Sequence, residues 1–324
     1  MKPYLKLVIG LMLIGIASVC FALNPVSLQY IQQEKFDGRD LKLVSILNEN
    51  ETYTRYYITY MSGKLKISGI MNVPKGKGPF PVVITAHGFV EPRYYTTGRG
   101  LKREQDYLAR RGYVVLHPDY RNHNGSDKDP DNNLRLNLGY TEDVINAVYA
   151  MKNSSLKFID KSNIGVLGHS LGGGVALNMM VTKPGLVKAY VLFAPISIDY
   201  RDNFNRWIGR LDRGTMQKYG PPSMREKIIE RYGSPEANPG FWDNISPKTF
   251  IQNISDPVMA HQGTADQDLP YEWVFKLQDA FKENGKELKL YLYKGEHHEF
   301  SNAWPLVMQR STAFFDSYLK NPAR

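Results

Sequence analysis

A serine in a glycine-rich turn, directly after a short apolar run, is the feature that most limits how this 324-residue chain can fold. Residues 164–167 predict a buried strand, and the apolar residues within 175–180 predict a buried helix. Ser170 lies in the turn between them, and Gly168 and Gly172 stand where a side chain would collide with the strand or the helix. The helix N-terminus directs its amide N–H groups toward such a serine. We therefore predict a catalytic Ser170; the competing interpretation is a tight turn with a spare serine.

Apolar runs alternate with helical patterns along most of the chain. Residues 81–86 (PVVITA) form a continuous apolar run, which is typical of a strand buried on both faces. Residues 53–60 and 64–73 alternate and predict an antiparallel pair. Further strands are predicted at 113–116, 190–194, 257–262 and 287–293, and helices at 101–111, 140–151, 273–284 and 303–319. The predicted fold class is therefore α/β, with a mostly parallel central sheet and helices on both faces.

Residues 197–244 interrupt this alternation and are rich in arginine, aromatic residues, glycine and proline. An insertion at this place is expected to lie over Ser170 as a cap. In one interpretation its aromatic residues line a substrate pocket and its arginines hold a carboxylate. In the other, the aromatic residues pack within the cap and the arginines are solvated. The residues concerned are Arg201, Arg206, Trp207, Arg210, Arg213, Tyr219, Arg225, Arg231, Tyr232 and Trp242.

A serine hydroxyl is a weak nucleophile near neutral pH, so it needs a neighbouring base, which an acid in turn orients. Asp266 and Asp268 follow one predicted strand, and His297 and His298 follow the last one. Both places lie at carboxyl ends of strands, where open α/β sheets build their sites. The residues by themselves leave open which aspartate and which histidine take part.

Acyl transfer also requires two N–H groups that bind the oxyanion. One is predicted from Leu171, directly after the serine, and the other from Phe89, in the loop after PVVITA. Gly88 permits close approach of that loop, and His87 is expected to be a structural hydrogen-bonding residue. Four other histidines are also expected to be structural: His117, His123, His169 and His261.

Composition and charge exclude several other classes of function. The length and the 42% hydrophobic content suit one large domain or two small ones. Because no composition shift marks an internal linker, we expect a single domain at residues 23–324. The net charge is +9, but the lysines and arginines are spread along the chain, which favours a solvated surface over a nucleic-acid partner. No HExxH or comparable spacing occurs, so we expect neither a metal nor a cofactor. The expected partner is a small molecule or a short peptide.

Residues 1–22 have the pattern of a secretory signal peptide. Lys2 and Lys6 accompany an apolar run at 7–19, and Ala22 is small enough for a cleavage site. The run is shorter than the ~20 apolar residues that span a membrane, so we expect an exported mature protein without a membrane span. Lipid anchoring through Cys20 and a retained anchor are the alternatives. Cys20 is the sole cysteine, so the mature chain has no internal disulfide.

With these residues in view, the chain resembles the prolyl oligopeptidase-type serine peptidases of the α/β-hydrolase superfamily over about residues 64–319. GHSLGG at 168–173 matches their nucleophile motif. Residues 231–270 resemble the segment that leads into the acid, and the form G-x-x-D-x-x-L-P implies Asp266. In the family's last motif the histidine lies three residues after a glycine, which in YKGEHHEF implies His298.

The resemblance implies an α/β-hydrolase fold and a serine hydrolase with an acyl-enzyme intermediate. Two features depart from the family pattern. About 50 residues precede the hydrolase pattern, which is too few for the β-propeller of the larger members, and HGFV at 87–90 replaces the usual HGGP-like stretch. A peptidase acting on short peptides is the first expectation. The alternatives are a carboxylesterase of acetyl, feruloyl or dienelactone type and a non-catalytic binding protein.

Overall fold

The computed structural model describes residues 23–208 and 223–320. Three sequence predictions therefore lie outside the described residues: the signal peptide at 1–22, its Cys20, and the part of the insertion at 209–222.

The described chain is built on a nine-stranded sheet with the order β1-β2-β3-β5-β4-β6-β7-β8-β9. Strands β4 to β9 are mutually parallel, and β1, β2 and β3 add an antiparallel edge that joins the rest through β5. The strands are β1 Lys42–Glu49, β2 Tyr53–Ser62, β3 Leu65–Pro74, β4 Phe80–Ala86, β5 Val114–Pro118, β6 Ile159–His169, β7 Ala189–Phe193, β8 Val258–Gly263 and β9 Leu288–Tyr293.

Helices connect the parallel strands and cover both faces of the sheet. They are α1 Leu28–Gln33, α2 Lys102–Ala109, α3 Leu138–Asn153, α4 Leu171–Thr182, α5 Tyr200–Asn203, α6 Met224–Tyr232, α7 Pro239–Asn244, α8 Trp273–Glu283 and α9 Trp304–Phe315. Short 3₁₀ segments occur at Pro92–Tyr94 and Pro247–Asn253, and π-helical segments at Phe204–Ile208 and Asp316–Lys320. Within the described ranges, every helix is too short or too polar to cross a membrane.

The core consists of two hydrophobic layers, one on each face of the sheet. Val82 and Ile84 of β4 face a cluster formed with α1, α3, α4 and α8, whereas Val83 faces a second cluster formed with α2 and α9. This division follows from the two-residue period of a strand. All three side chains are fully buried, which explains the continuous apolar run in this strand. The prediction of an α/β-hydrolase fold with a mostly parallel sheet is confirmed.

The strand order places a topological switch between β4 and β6. From β4 the chain moves to β5 on one side and then returns to β6 on the other. In parallel α/β sheets, ligands bind in the crevice outside the carboxyl ends of the strands at such a point. The loop after β4 and the turn after β6 therefore meet where a site is expected.

In the described parts of the insertion, 197–208 and 223–244, several aromatic residues pack against one another. Trp242 and Phe204 are fully buried with ring centroids 4.5 Å apart, and Tyr232 stacks on Phe241 at 4.3 Å. Arg201 forms ion pairs with aspartates inside the segment. For these residues the packing interpretation fits. Trp207, near the end of the described range 23–208, has 40% of its surface exposed.

Candidate active site

Ser170 lies in a strained turn between the last residue of β6 and the first of α4. Its backbone has φ 56° and ψ −119°, a conformation that non-glycine residues rarely adopt. The turn is held by a hydrogen bond from the Ser170 N–H to the carbonyl of Phe193, the last residue of β7 (2.9 Å). A Cβ on Gly168 would lie 2.3 Å from the carbonyl oxygen of Gly172, and one on Gly172 would lie 1.9 Å from that of Ala86. Close packing of strand, turn and helix therefore explains both glycines.

Asp266 and His298 meet at the carboxyl ends of β8 and β9. The Nδ1–H of His298 donates to Oδ2 of Asp266 at 2.7 Å, and Gln262 donates to the same oxygen at 3.0 Å. The other carboxylate oxygen accepts the backbone N–H groups of Asp268 and Leu269, both at 2.9 Å. The Asp266 side chain is fully buried. Its environment fixes both the carboxylate and the imidazole that it faces.

The ionisation of Asp266 follows from these contacts. Burial acts to raise the pKa of its carboxyl, but the hydrogen bond and charge of His298, with the bonds from Leu269 and Gln262, hold that pKa below its usual range. The group is therefore a carboxylate at neutral pH, and it accepts the hydrogen bond from Nδ1–H of His298. This is the arrangement of an oriented general base and its acid.

The neighbouring residues of the same types lie elsewhere. His297 is exposed, and its Nδ1 faces the carbonyl of Ala265 at 2.9 Å. Asp268 has an exposed side chain and supports Asp266 only through its backbone N–H. The aspartate and the histidine implied by the family resemblance are thus the two that the structure brings together.

The loop after β4 runs against the serine. A Cβ on Gly88 would lie 3.2 Å from the Cβ of Ser170. Within the described residues, the backbone N–H groups of Phe89 and Leu171 donate no hydrogen bond. The Phe89 ring is 68% exposed. Two unsatisfied N–H groups on segments beside a serine match what an oxyanion requires.

Buried side chains hold this loop on its inner side; the sequence predicted structural roles for His87 and His123 but none for Tyr120. The Tyr120 hydroxyl donates to the carbonyl of His87 at 3.2 Å, and the two rings stack at 4.1 Å. A ring nitrogen of His123 faces the carbonyl of Val90 at 3.2 Å. Burial lowers the pKa of His87 to about 3, with His123 acting in the same direction, so His87 is neutral. The sequence could have indicated this contact through the topology alone, because Tyr120 and His123 follow β5, the strand that pairs with β4.

Asp266, Asp268 and His298 also place potential metal ligands within 4.8 Å of one another. In this structure Nδ1 of His298 donates to Asp266, and both oxygens of Asp266 accept hydrogen bonds. A cation bound through Nδ1 would have to displace the bond between the two residues. The observed contacts of Asp266 and His298 are those that an acid–base pair requires.

A cavity of about 680 Å³ in the described structure lies away from these residues. It is lined by residues around the amino-terminal starts of β8 and β9, including Pro257 and Glu287, and by the end of α9. The serine and the acid–base pair occupy the opposite, carboxyl end of the same sheet. The cavity is thus separate from the candidate site.

Two comparisons relate the sequence to known proteins. The family model described as the prolyl oligopeptidase family matches residues 99–322. The chain is also 27% identical over 230 residues to the uncharacterized peptidase YuxL of Bacillus subtilis (strain 168), an alignment that covers 70% of this chain and 32% of that protein. The chain thus matches about a third of the length of that relative.

Solved structures share the fold. An acylaminoacyl peptidase from Pyrococcus horikoshii superposes with a TM-score of 0.67 at 21% identity, covering 85% of this chain and 43% of that one. Acetyl xylan esterase 1 from Thermoanaerobacterium sp. JW/SL YS485 superposes with a TM-score of 0.56 at 18% identity, covering 85% and 86%. Peptidases and esterases are therefore both among the proteins of similar fold.

Proposed function

Because the chain belongs to the prolyl oligopeptidase family, and is thus a serine hydrolase, we propose that Ser170, His298 and Asp266 are its catalytic triad. The observation that carries the proposal is the 2.7 Å bond between His298 and Asp266 at the sheet edge that also bears the strained serine. The ring of His169, the residue before the serine, lies 4.6 Å from the ring of His298. This proximity supports a common site for the base and the nucleophile.

In the proposed reaction, the Ser170 hydroxyl oxygen attacks the acyl carbon while His298 Nε2 takes its proton. The N–H groups of Leu171 and Phe89 bind the oxyanion of the tetrahedral intermediate. Asp266 holds the imidazolium in place, and His298 then protonates the leaving group as the acyl–heteroatom bond breaks. Water attacks the acyl-enzyme with His298 again as base, which returns a free acid and the serine.

We propose a peptidase that acts on short peptides as the first substrate class. The support is the family match and the similarity to YuxL, which is described as a peptidase. A carboxylesterase is the second candidate, because the similarity in fold to the acetyl xylan esterase covers most of both chains. The two candidates differ in the bond that is cleaved, an amide or an ester, and the same residues serve both reactions.

A matched pair of substrates tests the proposal. One peptide that ends in proline is attached through its carboxyl group either to p-nitroaniline, as an amide, or to p-nitrophenol, as an ester. The purified protein is assayed with both compounds, and also with acetylated and feruloylated sugars. A peptidase cleaves the anilide with a measurable kcat/KM, whereas an esterase cleaves only the esters. The Ser170→Ala variant is the blank for both.

A fluorophosphonate probe tests the nucleophile itself. The wild-type protein should be labelled and Ser170→Ala should not. Absence of labelling and of all turnover in the folded wild-type protein would favour the non-catalytic alternative.

We also propose that the mature protein lies outside the cytoplasm, on the evidence of the apolar segment at 7–19 and its lysines. Intact-mass analysis of protein from expressing cells should show loss of about the first 19 to 22 residues. A cytoplasmic protein that retains Met1 would contradict this proposal.

A further inference from the structure

His169, the residue between Gly168 and the serine, has no part in the reaction above but contacts its components. Only 8% of its surface is exposed. Its Nε2 lies 3.2 Å from the backbone carbonyl oxygen of His298, and the two rings lie 4.6 Å apart at 40°. Its Nδ1 lies 3.5 Å from the place that a Cβ on Gly88 would occupy. The ring therefore sits between the base and the oxyanion loop.

The surroundings of His169 define its charge and its tautomer. Burial, followed by the proximity of His298, lowers the pKa of His169 to about 4, so the ring is neutral at neutral pH. Because a carbonyl oxygen can only accept, Nε2 carries the proton and donates it. The titratable groups facing this ring are His298, Asp266 and the largely exposed Glu299, whose carboxylate lies 3.9 Å from Nε2 and near Arg103.

His298 needs an anchor of this kind, because it follows the end of β9 in an irregular turn. Its side chain is fixed by Asp266, which sets the tautomer and the rotation of the ring. That contact does not hold the backbone carbonyl of His298, and the hydrogen bond from the Phe300 N–H to the carbonyl of His297, which closes the turn, does not hold it either. Among the described residues, the carbonyl of His298 accepts its hydrogen bond from His169. The two bonds together hold both ends of the residue.

We propose that His169 is a positioning residue, which holds the backbone of His298 through its Nε2–H and so keeps the base aligned with the neighbouring Ser170. This inference rests on the proposed function, since it concerns the base of that reaction. Because His169 belongs to the nucleophile turn itself, the serine and the base are fixed to one rigid element. Displacement of a reacting group by about 1 Å can cost roughly 10²-fold in rate.

Two substitutions separate the hydrogen bond from the packing of the ring. His169→Phe retains an aromatic ring without a donor, and His169→Gln supplies an amide N–H near the position of Nε2. We expect kcat to fall by roughly 10²-fold in His169→Phe, with KM little changed, and to recover largely in His169→Gln. His297→Phe is the matched control, because it removes the carbonyl contact of the adjacent, exposed histidine and should leave kcat unchanged.

A proton NMR measurement gives a readout that packing alone would not move. The His298 Nδ1–H bonded to Asp266 should give a far-downfield resonance in the wild type, in His169→Gln and in His297→Phe. It should be lost or broadened in His169→Phe if the base is no longer held. Wild-type kcat and an unchanged resonance in His169→Phe would overturn the inference, as would equal losses in the Phe and Gln variants with unchanged melting temperatures.

The experiment also separates this inference from the proposed function. If the wild type neither hydrolyses a substrate nor reacts with the fluorophosphonate, the proposed function fails, while the NMR resonance still decides whether His169 positions His298. If His169→Phe does not fold, His169→Asn replaces it, because its amide reaches the position of Nδ1 rather than Nε2. The kcat of His169→Asn should then be as low as that expected for His169→Phe. Equal activity of the Asn and Gln variants would overturn the inference.

Discussion

The two sides of Ser170 are built in opposite ways. On the acid–base side, the reactive groups are side chains: two backbone N–H groups fix the carboxylate of Asp266, and the Nε2–H of His169 holds the backbone carbonyl of His298. On the oxyanion side, the reactive groups are backbone N–H groups, and buried side chains such as Tyr120 hold them. A substitution on the first side can delete chemistry outright. On the second side it can only loosen a segment.

The largest effect should come from the histidine pair on the acid–base side. His298→Ala should lower kcat by about 10³-fold or more, as should Ser170→Ala, because the members of a triad act as a unit. His297→Ala should retain most activity, because that ring is exposed and faces the carbonyl of Ala265. Steady-state kinetics of the three variants check this. A dead His297→Ala beside an active His298→Ala would reverse the assignment.

The aspartates supply a second matched pair on the same side. Asp266→Asn should lower kcat by about 10³-fold, because an amide cannot stabilise the imidazolium and can present an N–H to Nδ1. Asp268→Asn should have a small effect, since the contribution of Asp268 to the site is a backbone N–H that the variant retains. The ratio of kcat values for the two variants is the measurement. Similar losses in both would show that the exposed carboxylate also takes part.

Substitutions on the oxyanion side should lower kcat less than those on the acid–base side. Tyr120→Phe leaves the carbonyl of His87 without its donor, a loss that costs about 1–3 kcal/mol in buried sites. We expect kcat to fall by roughly tenfold at most and the melting temperature to fall as well. Tyr60→Phe is the control, because it removes a comparable bond from a buried tyrosine to the carbonyl of Asp143, which belongs to α3 and not to the loop after β4. Equal kcat losses in both would refute a specific role for Tyr120.

Stability should depend on pH differently for the two sides. The pKa of buried His87 lies at about 3 in the folded protein, against about 6.5 when unfolded, so between these values the unfolded chain binds the extra proton. Stability therefore falls as pH falls through that window, by about 1.4 kcal/mol per pH unit for one such histidine. Asp266, whose pKa is also held low, contributes stability that is lost only as pH falls below about 4.

Urea unfolding at pH 7, 6, 5 and 4.5 checks the histidine contribution. In His87→Phe the free energy of unfolding should vary less steeply with pH than in the wild type. His297→Ala should leave the slope unchanged, because that ring is exposed in the folded protein. An unchanged slope in His87→Phe would contradict the neutral, buried state of His87.

Sequence patterns predicted the elements whose burial is regular. The run at β4, the alternation at β2 and β3, and the helical spacing of α3 lie within a few residues of the observed bounds. Strand β1 was missed, because it lies at the sheet edge with Val44, Ile46 and Leu47 each at least half exposed. Such a strand lacks the burial pattern from which strands are inferred. The last helix was predicted as continuous to 319, whereas α9 ends at Phe315 and continues as a π-helical turn.

By itself, the sequence predicted a strand–turn–helix junction at Ser170 from the apolar run before it, the helical pattern after it, and Gly168 and Gly172 beside it. The structure gives the physical reason for these glycines, because a Cβ at either position would lie within 2.3 Å of a backbone oxygen. It also placed an aspartate pair and a histidine pair after two strands. Which member of each pair meets the other depends on where the loops turn, and that is a property of the packed sheet. Tyr120, His123 and His169 each form a hydrogen bond to a backbone carbonyl that is distant in sequence, those of His87, Val90 and His298 respectively. Only the tertiary structure decided these contacts, because hydrogen bonds between loops depend on distances that no local pattern encodes.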